Sequence, residues 1–296
     1  MSSVARQRVR TTDGITLVAD YYHHTGAGPV VILLHGGGQN RHAWRESAQR
    51  LHDRGYTVVA YDARGHGDSD WDPDGNYDIE RLAADLTAVR DHFAADTPPV
   101  VVGASLGGMT ILGAHRSSAA SSWGAVVLVD VTPRLEIDGA RRVVAFMAAY
   151  PDGFCSLEDA AEIIAAYNSR PERAKSRSGL HKVLRQREDG RWIWRWDPAF
   201  VHSNFEFLRG EPTAGHEQFE AISQLLIDGA QRVTAPTLLV RGLLSDVVST
   251  ATVDEFKQLV PHAEVVDVSG AGHMIAGDNN DAFTAALVDF LDRDKL

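Results

Sequence analysis

Cysteine is almost missing from this sequence: Cys155 is the one cysteine among 296 residues. An intramolecular disulfide is therefore excluded, and stability has to come from a buried core. Long apolar runs are missing as well. No stretch approaches the roughly 20 apolar residues that span a bilayer. Met1–Arg10 carries arginines with no apolar segment behind them, unlike a secretory signal. The expectation is a cytoplasmic protein with no membrane partner. Positive charge is in deficit, with 29 Lys and Arg against 40 Asp and Glu and a formal net charge of −11. Phosphate binding needs clustered cations, so a nucleic-acid partner is not expected. No cysteine pair and no H-E-x-x-H offers a metal site, and no G-x-G-x-x-G with a following acidic residue implies a nucleotide cofactor. The expectation is no metal and no cofactor.

Hydrophobic residues make up 44% of the chain, enough for a sizeable core. Short β-branched runs read as buried strands: Val30–Leu34, Tyr56–Tyr61, Val100–Gly103, Ala125–Val129, Thr237–Val240 and Glu264–Val268. Continuous apolar runs of this kind suit a parallel sheet covered on both faces. Helical spacing lies between them, as in Ile79, Leu82, Ala83, Leu86, Val89 and Phe93, and again from Phe283 to Leu291. This alternation predicts a doubly wound α/β domain with a mostly parallel sheet. Gln7–Arg10 and Ile15–Tyr22, joined through Asp13-Gly14, read as an antiparallel hairpin at its edge.

The rhythm stops after Val131 and resumes at Thr237. Between them lie amphipathic patterns, one starting at Ser156, and a crowd of aromatics: Phe146, Phe154, Trp192, Trp194, Trp196, Phe200, Phe205 and Phe207. Residues 132–231 are therefore expected to be a helical cap inserted into a core formed by 1–131 and 232–296. Phe146, Met147, Trp192, Trp194 and Trp196 are the candidate pocket residues. The tryptophans read equally well as a staple between cap and core, since large aromatics serve both purposes.

Chemistry concentrates at the ends of the predicted strands. Gly103-Ala104-Ser105-Leu106-Gly107 matches G-x-S-x-G between a strand and a helix. Small neighbours permit the sharp turn that exposes a serine nucleophile. A serine hydroxyl needs a base. His273, in Ser269-Gly270-Ala271-Gly272-His273 after the last strand, is the candidate. Asp246 follows the preceding strand at the same sheet end and is the candidate acid. The oxyanion hole is expected from the N–H of Leu106 and that of Gly37 in His35-Gly36-Gly37-Gly38.

With these motifs in their order, together with Asp62-Ala63-Arg64-Gly65-His66-Gly67-Asp68-Ser69, the chain resembles a capped α/β-hydrolase over nearly its whole length. The resemblance implies a serine hydrolase related to esterases, cofactor-free perhydrolases and carbon–carbon bond hydrolases. It implies a structural turn at Asp62–Ser69. Dehalogenases and soluble epoxide hydrolases of this fold carry an aspartate at the elbow, so Ser105 disfavours those chemistries. Some relatives place the acid after the earlier strand, which leaves Asp130 as the alternative to Asp246. The expected partner is a small apolar molecule with a reactive carbonyl, and homo-oligomerisation stays open. A hydrolase-like module that binds a ligand without turnover is the alternative of another class.

Overall fold

The computed structural model describes residues 4–26, 28–94, 96–116, 123–167, 179–205, 208, 215–273 and 280–293. Phe207 of the aromatic crowd lies outside them. Eight strands form the main sheet: β1 (Ala5–Arg10), β2 (Thr16–Tyr22), β3 (Val30–Leu34), β4 (Thr57–Tyr61), β5 (Val100–Ala104), β6 (Ala125–Val129), β9 (Thr237–Gly242) and β10 (Glu264–Val268). Their order is β1-β2-β4-β3-β5-β6-β9-β10. From β4 to β10 the pairings are parallel, while β1 and β2 form the antiparallel edge expected from the Asp13-Gly14 turn.

The strand sequences explain the two-sided core. Side chains alternate across a strand, so a run such as Val31-Ile32-Leu33-Leu34 must feed both faces. Ile32, Leu34, Val101, Leu128 and Leu239 join one cluster with Leu86 and Leu112. Val31, Leu33, Val102, Val127 and Val240 join the other with Trp44, Leu51, Phe283 and Leu287. The first face is covered by α2 (Ile79–Phe93) and α3 (Leu106–Ala114), the second by α1 (Arg45–Asp53) and the C-terminal helix α10 (Asn280–Arg293). No helix among the described residues is long and apolar enough to cross a membrane.

Between β6 and β9 the chain forms α4 (Ile137–Ala148), α5 (Leu157–Tyr167), the short α6 (Leu180–Val183), a hairpin of β7 (Leu184–Gln186) and β8 (Trp192–Trp194), α7 (Pro198–Phe205) and α8 (His216–Ala230). The hairpin falls where Trp192, Trp194 and Trp196 alternate as in an extended segment within the expected helical cap. α5 starts as the sequence suggests, with the Ser156 hydroxyl accepting from the Asp159 N–H at 3.1 Å. A further helix, α9 (Thr250–Leu259), joins β9 to β10.

Strand order positions the site. From β3 the chain moves outward to β4, then returns to β5 on the other side. The carboxyl ends of β3 and β5 thus flank a topological switch point, where open α/β sheets hold ligands. The turn at β5 tolerates no added carbon. A Cβ at Gly103 would meet the Gly107 carbonyl carbon at 2.4 Å, and one at Gly107 would meet the Leu34 carbonyl oxygen at 2.5 Å. Both obstacles are backbone and cannot swing away. Gly103→Ala is expected to cost about 3 kcal/mol by overpacking, lowering Tm by on the order of 10 °C. Thermal unfolding of the variant checks this; an unchanged Tm would contradict the close approach.

Candidate active site

Ser105 sits between β5 and α3 with φ 48° and ψ −113°. A positive φ is costly for a residue with a Cβ and persists only when its surroundings enforce it. Here the Ser105 N–H donates to the Val129 carbonyl at 3.1 Å, and the flanking glycines allow β3, β5 and α3 to close around it. The side chain is held half-buried at the switch point.

His273 follows β10 and brings Nε2 to 3.1 Å from Ser105 Oγ. Its Nδ1 lies 2.8 Å from Asp130 Oδ2. The acid beside the histidine is therefore Asp130, and the expectation for Asp246 is corrected. The reason lies in β9, which runs on to Gly242 and then turns sharply, with the Ser245 N–H donating to the Gly242 carbonyl at 3.0 Å. That turn directs Asp246 outward, where it is 45% exposed and pairs with Arg142 of α4 at 2.7 Å. Asp130 continues directly from β6 with φ 50°, and its N–H donates to the Val240 carbonyl at 2.8 Å. The loop that carries Asp246 still serves the acid. The Gly242 N–H donates to Asp130 Oδ1 at 2.9 Å, and the Ser245 hydroxyl donates to Oδ2 at 2.6 Å. Sequence reasoning missed Ser245; its place beside a candidate acid was the available signal.

The protonation pattern follows from these partners. An ionised carboxylate only accepts, so Nδ1 carries the proton donated to Asp130. Nε2 is left with its lone pair toward Ser105 Oγ, the arrangement a general base needs.

The loop after β3 faces this pair. A Cβ at Gly36 would stand 3.5 Å from Ser105 Cβ. The Gly36 N–H donates to Gln39 Oε1 at 3.1 Å and the Gly38 N–H to His66 Nε2 at 3.2 Å. Gly37, between them, has no hydrogen-bond partner among the described residues and lines the pocket with Ser105. Leu106 opens α3, so its N–H has no intrahelical acceptor.

Two buried histidines set this loop. His66 Nδ1 faces the Arg64 carbonyl at 3.1 Å, and His35 Nδ1 faces the Gly36 carbonyl at 2.8 Å. Each Nε2 accepts a backbone N–H, from Gly38 and Ala63 respectively. One donor and one acceptor per ring means both are neutral. Burial pushes His35 down to about 4 and His66 to about 3, the latter with His35 adding to the effect. In the unfolded chain each titrates near the ordinary value of 6.5. The stability they contribute is complete above that value and is lost as pH falls from 6.5 toward the folded values. At pH 5 the loss is about 2 kcal/mol per histidine. His66→Gln keeps a donor and an acceptor but does not titrate. Between pH 7.5 and 5 the wild type should lose more Tm than this variant; parallel profiles would contradict the neutral assignment.

The Asp62–Ser69 turn also anchors the segment above the site. Asp62 is fully buried against Arg41, which also reaches Asp20 and Asp68. The Gly67 N–H donates to the Arg195 carbonyl at 2.7 Å, and the Asp197 N–H to the Gly65 carbonyl at 2.8 Å. Trp196 bridges to His66 in this contact and stacks on Trp194 at 4.2 Å.

A narrow pocket with a cavity volume of about 70 Å³ opens at Ser105 and His273. Its walls are almost wholly apolar. Val144 and Met147 come from α4, Phe200 from α7, and Phe219, Ile222 and Leu226 from α8. Of the five sequence candidates only Met147 lines it. Phe146 instead packs between Tyr167 and Trp194, with ring centroids at 3.9 and 5.7 Å. Trp192 sits against His181 and pairs with Phe154. None of Trp192, Trp194 and Trp196 lines this pocket, and of the three it is Trp196 that meets the core, bridging to His66 and lying against Gly38. The 3.6-residue period of α8, which places residues 219, 222, 223 and 226 on one face, was the overlooked signal. Among the described residues no group of three or more His, Cys, Asp or Glu could hold a metal ion.

Comparison with known proteins agrees with this architecture. Esterase Rv0045c of Mycobacterium tuberculosis is 30% identical over 273 residues, which cover 90% of this chain and 84% of that protein. A crystal structure of that esterase superposes with a TM-score of 0.73 at 29% identity, covering 98% of this chain and 92% of its own. 2-(Acetamidomethylene)succinate hydrolase of Mesorhizobium japonicum is 28% identical over 90% of this chain and 89% of its own. A crystal structure of E-2-(acetamidomethylene)succinate hydrolase gives a TM-score of 0.81 at 26% identity, with 98% of this chain and all of that one covered. Epoxide hydrolase A of M. tuberculosis is 28% identical over 96% of this chain and 97% of its own. The family model for the alpha/beta hydrolase fold matches residues 29–279, and the chain belongs to that family of enzymes.

Proposed function

We propose that this enzyme is a serine hydrolase that cleaves esters or thioesters of small apolar acids through an acyl-enzyme. The observation that carries the reading is the unbroken relay from Ser105 Oγ through His273 to Asp130, at 3.1 and 2.8 Å. His273 Nε2 takes the serine proton as Oγ attacks the carbonyl. Asp130 holds the imidazole tautomer and stabilises the imidazolium. The N–H groups of Gly37 and Leu106 receive the oxyanion. His273 then protonates the leaving group, and water repeats the sequence to release the acid. Residues 132–231 act as the cap over a core of 1–131 and 232–296, supplying most of the acyl pocket.

The lining excludes some substrates. Among the described residues no Lys or Arg faces the pocket. A carboxylate buried there would lack a counter-charge, which is costly. Dicarboxylates are therefore poor candidates for the acyl side, and uncharged chains are favoured. A series of p-nitrophenyl esters from acetate to decanoate tests the reading, with mass-spectrometric identification of the acid and trapping of the acyl group by hydroxylamine. Turnover with a short-to-medium chain optimum is expected. Binding of acyl ligands without release of acid would overturn it.

A further inference from the structure

Among the buried serines and threonines, one hydroxyl stands apart. Thr11, Ser47, Thr57, Ser69, Thr110, Thr132, Thr237, Thr252 and Thr284 are buried, and each side-chain oxygen has a hydrogen-bond partner. Ser223 on α8 is 2% exposed and has none among the described residues. Nor does its oxygen join the atoms sealed inside protein without a partner, as the indole nitrogens of Trp44, Trp123 and Trp194 do. Ser223 lines the pocket of Ser105 and His273, between Phe219, Ile222 and Leu226 of the same helix. Its hydroxyl is thus an open hydrogen-bonding group on a wall otherwise made of carbon.

Buried polar groups are almost always satisfied, and one on a pocket wall is paired either by water or by an atom of the bound ligand. A serine in an i−4 helical position often satisfies itself on the preceding turn's carbonyl, as Thr110 does on Leu106 at 2.9 Å. Ser223 does not. A plain alkyl chain bound here would leave the hydroxyl unpaired and drier than before. A chain bearing one oxygen at the matching position would pair with it and keep its remaining carbons against the apolar wall.

We propose that Ser223 is a specificity-determining residue that hydrogen-bonds an oxo or hydroxyl group on an otherwise apolar acyl chain. The substrate class is then esters or thioesters of oxo- or hydroxy-acids. This deepens the serine-hydrolase reading and rests on it for the acyl chain's place in the pocket. A site built to pair with a polar group discriminates against the analogue that lacks it.

The test compares p-nitrophenyl esters of hexanoic, 4-oxohexanoic and 5-oxohexanoic acid on the wild type, Ser223→Ala and Ser223→Thr. The wild type should favour one oxo ester over hexanoate by about tenfold in kcat/KM, the worth of one hydrogen bond. Ser223→Ala should abolish that preference, lowering kcat/KM for the favoured oxo ester about tenfold more than for hexanoate, and Ser223→Thr should restore part of it. Equal losses on all three esters, or a preference that survives in Ser223→Ala, would overturn the proposal. A second readout separates it from the parent reading. The free oxo and plain acids are added to Ser105→Ala and to Ser105→Ala/Ser223→Ala, and the rise in Tm is measured. Stronger stabilisation by an oxo acid that needs Ser223 supports the proposal even if no ester is turned over. Equal responses, or none, overturn it.

Discussion

Asp130→Asn is expected to lower kcat by on the order of 10⁴, because an amide beside Nδ1 no longer fixes the productive tautomer. Asp130 is 1% exposed and accepts from Gly242, Ser245 and His273. An asparagine has one oxygen for those donors and turns an N–H₂ toward another. Some loss of Tm should accompany the loss of rate. Asp246→Asn should differ in kind. Its partner is Arg142, both side chains are about half exposed, and such pairs are worth about 0–1 kcal/mol. Its kcat should stay within about threefold of wild type. Steady-state kinetics on a p-nitrophenyl ester, with circular dichroism to verify folding, compares the two variants. A severe defect in Asp246→Asn beside an active Asp130→Asn would reverse the assignment of the acid.

Ser105→Ala should be the most damaging single change, lowering kcat by about 10⁶-fold. Only catalysis by the oxyanion donors and by binding would remain. Folding should be little affected. Alanine at φ 48° bears nearly the same backbone strain as serine, and the lost hydroxyl's partner, His273, keeps its bond to Asp130. Tm is expected to stay within about 2 °C, since a hydrogen bond of this kind contributes about 1 kcal/mol or less. Turnover near wild type would remove Ser105 from the chemistry. A collapse in Tm would mean that its role is structural.

The fold was legible because its strands are continuous apolar runs and its turns carry their own chemistry. β3, β6 and β10 match the expected bounds residue for residue, and α2 begins and ends where Ile79 and Phe93 mark its apolar face. Ser105 and His273 were legible for a related reason. Each sits at a strand end flanked by glycines, and strand order alone brings such ends to one edge of a parallel sheet. The acid was a harder choice. Asp130 and Asp246 both follow strands, and the decision turned on where β9 stops. Two extra residues, Arg241 and Gly242, carry the strand onward, and the turn at Ser245 sends Asp246 toward Arg142. Composition does not encode that length.

The pocket was the least legible part. Tryptophan at 192, 194 and 196 attracts attention because of its size. Side chains alternate along an extended segment, and here Trp192 packs on His181 and Trp194 on Trp196, whose backbone bridges to His66, instead of over Ser105. The wall comes from α4, α7 and α8, whose inward faces depend on how the helices dock. One constraint on that docking is at Gly139, where a Cβ would meet the Asp246 carbonyl oxygen at 2.0 Å. α4 therefore lies directly on the loop after β9, and the Glu136 N–H donates to the Val247 carbonyl at 2.9 Å. Asp246, expected beside His273, belongs instead to the seat of the helix that carries Val144 and Met147 to the pocket.

Fluorophosphonate labelling followed by peptide mass mapping tests the central claim most directly, because the reagent reacts with an activated serine whatever the natural substrate. One phosphonyl group on Ser105 is predicted for the wild type and, at a comparable rate, for Asp246→Asn, with labelling of Asp130→Asn slowed by at least 100-fold. Modification at another residue, no modification of the wild type, or rapid labelling of Asp130→Asn would contradict activation of Ser105 by His273 and Asp130.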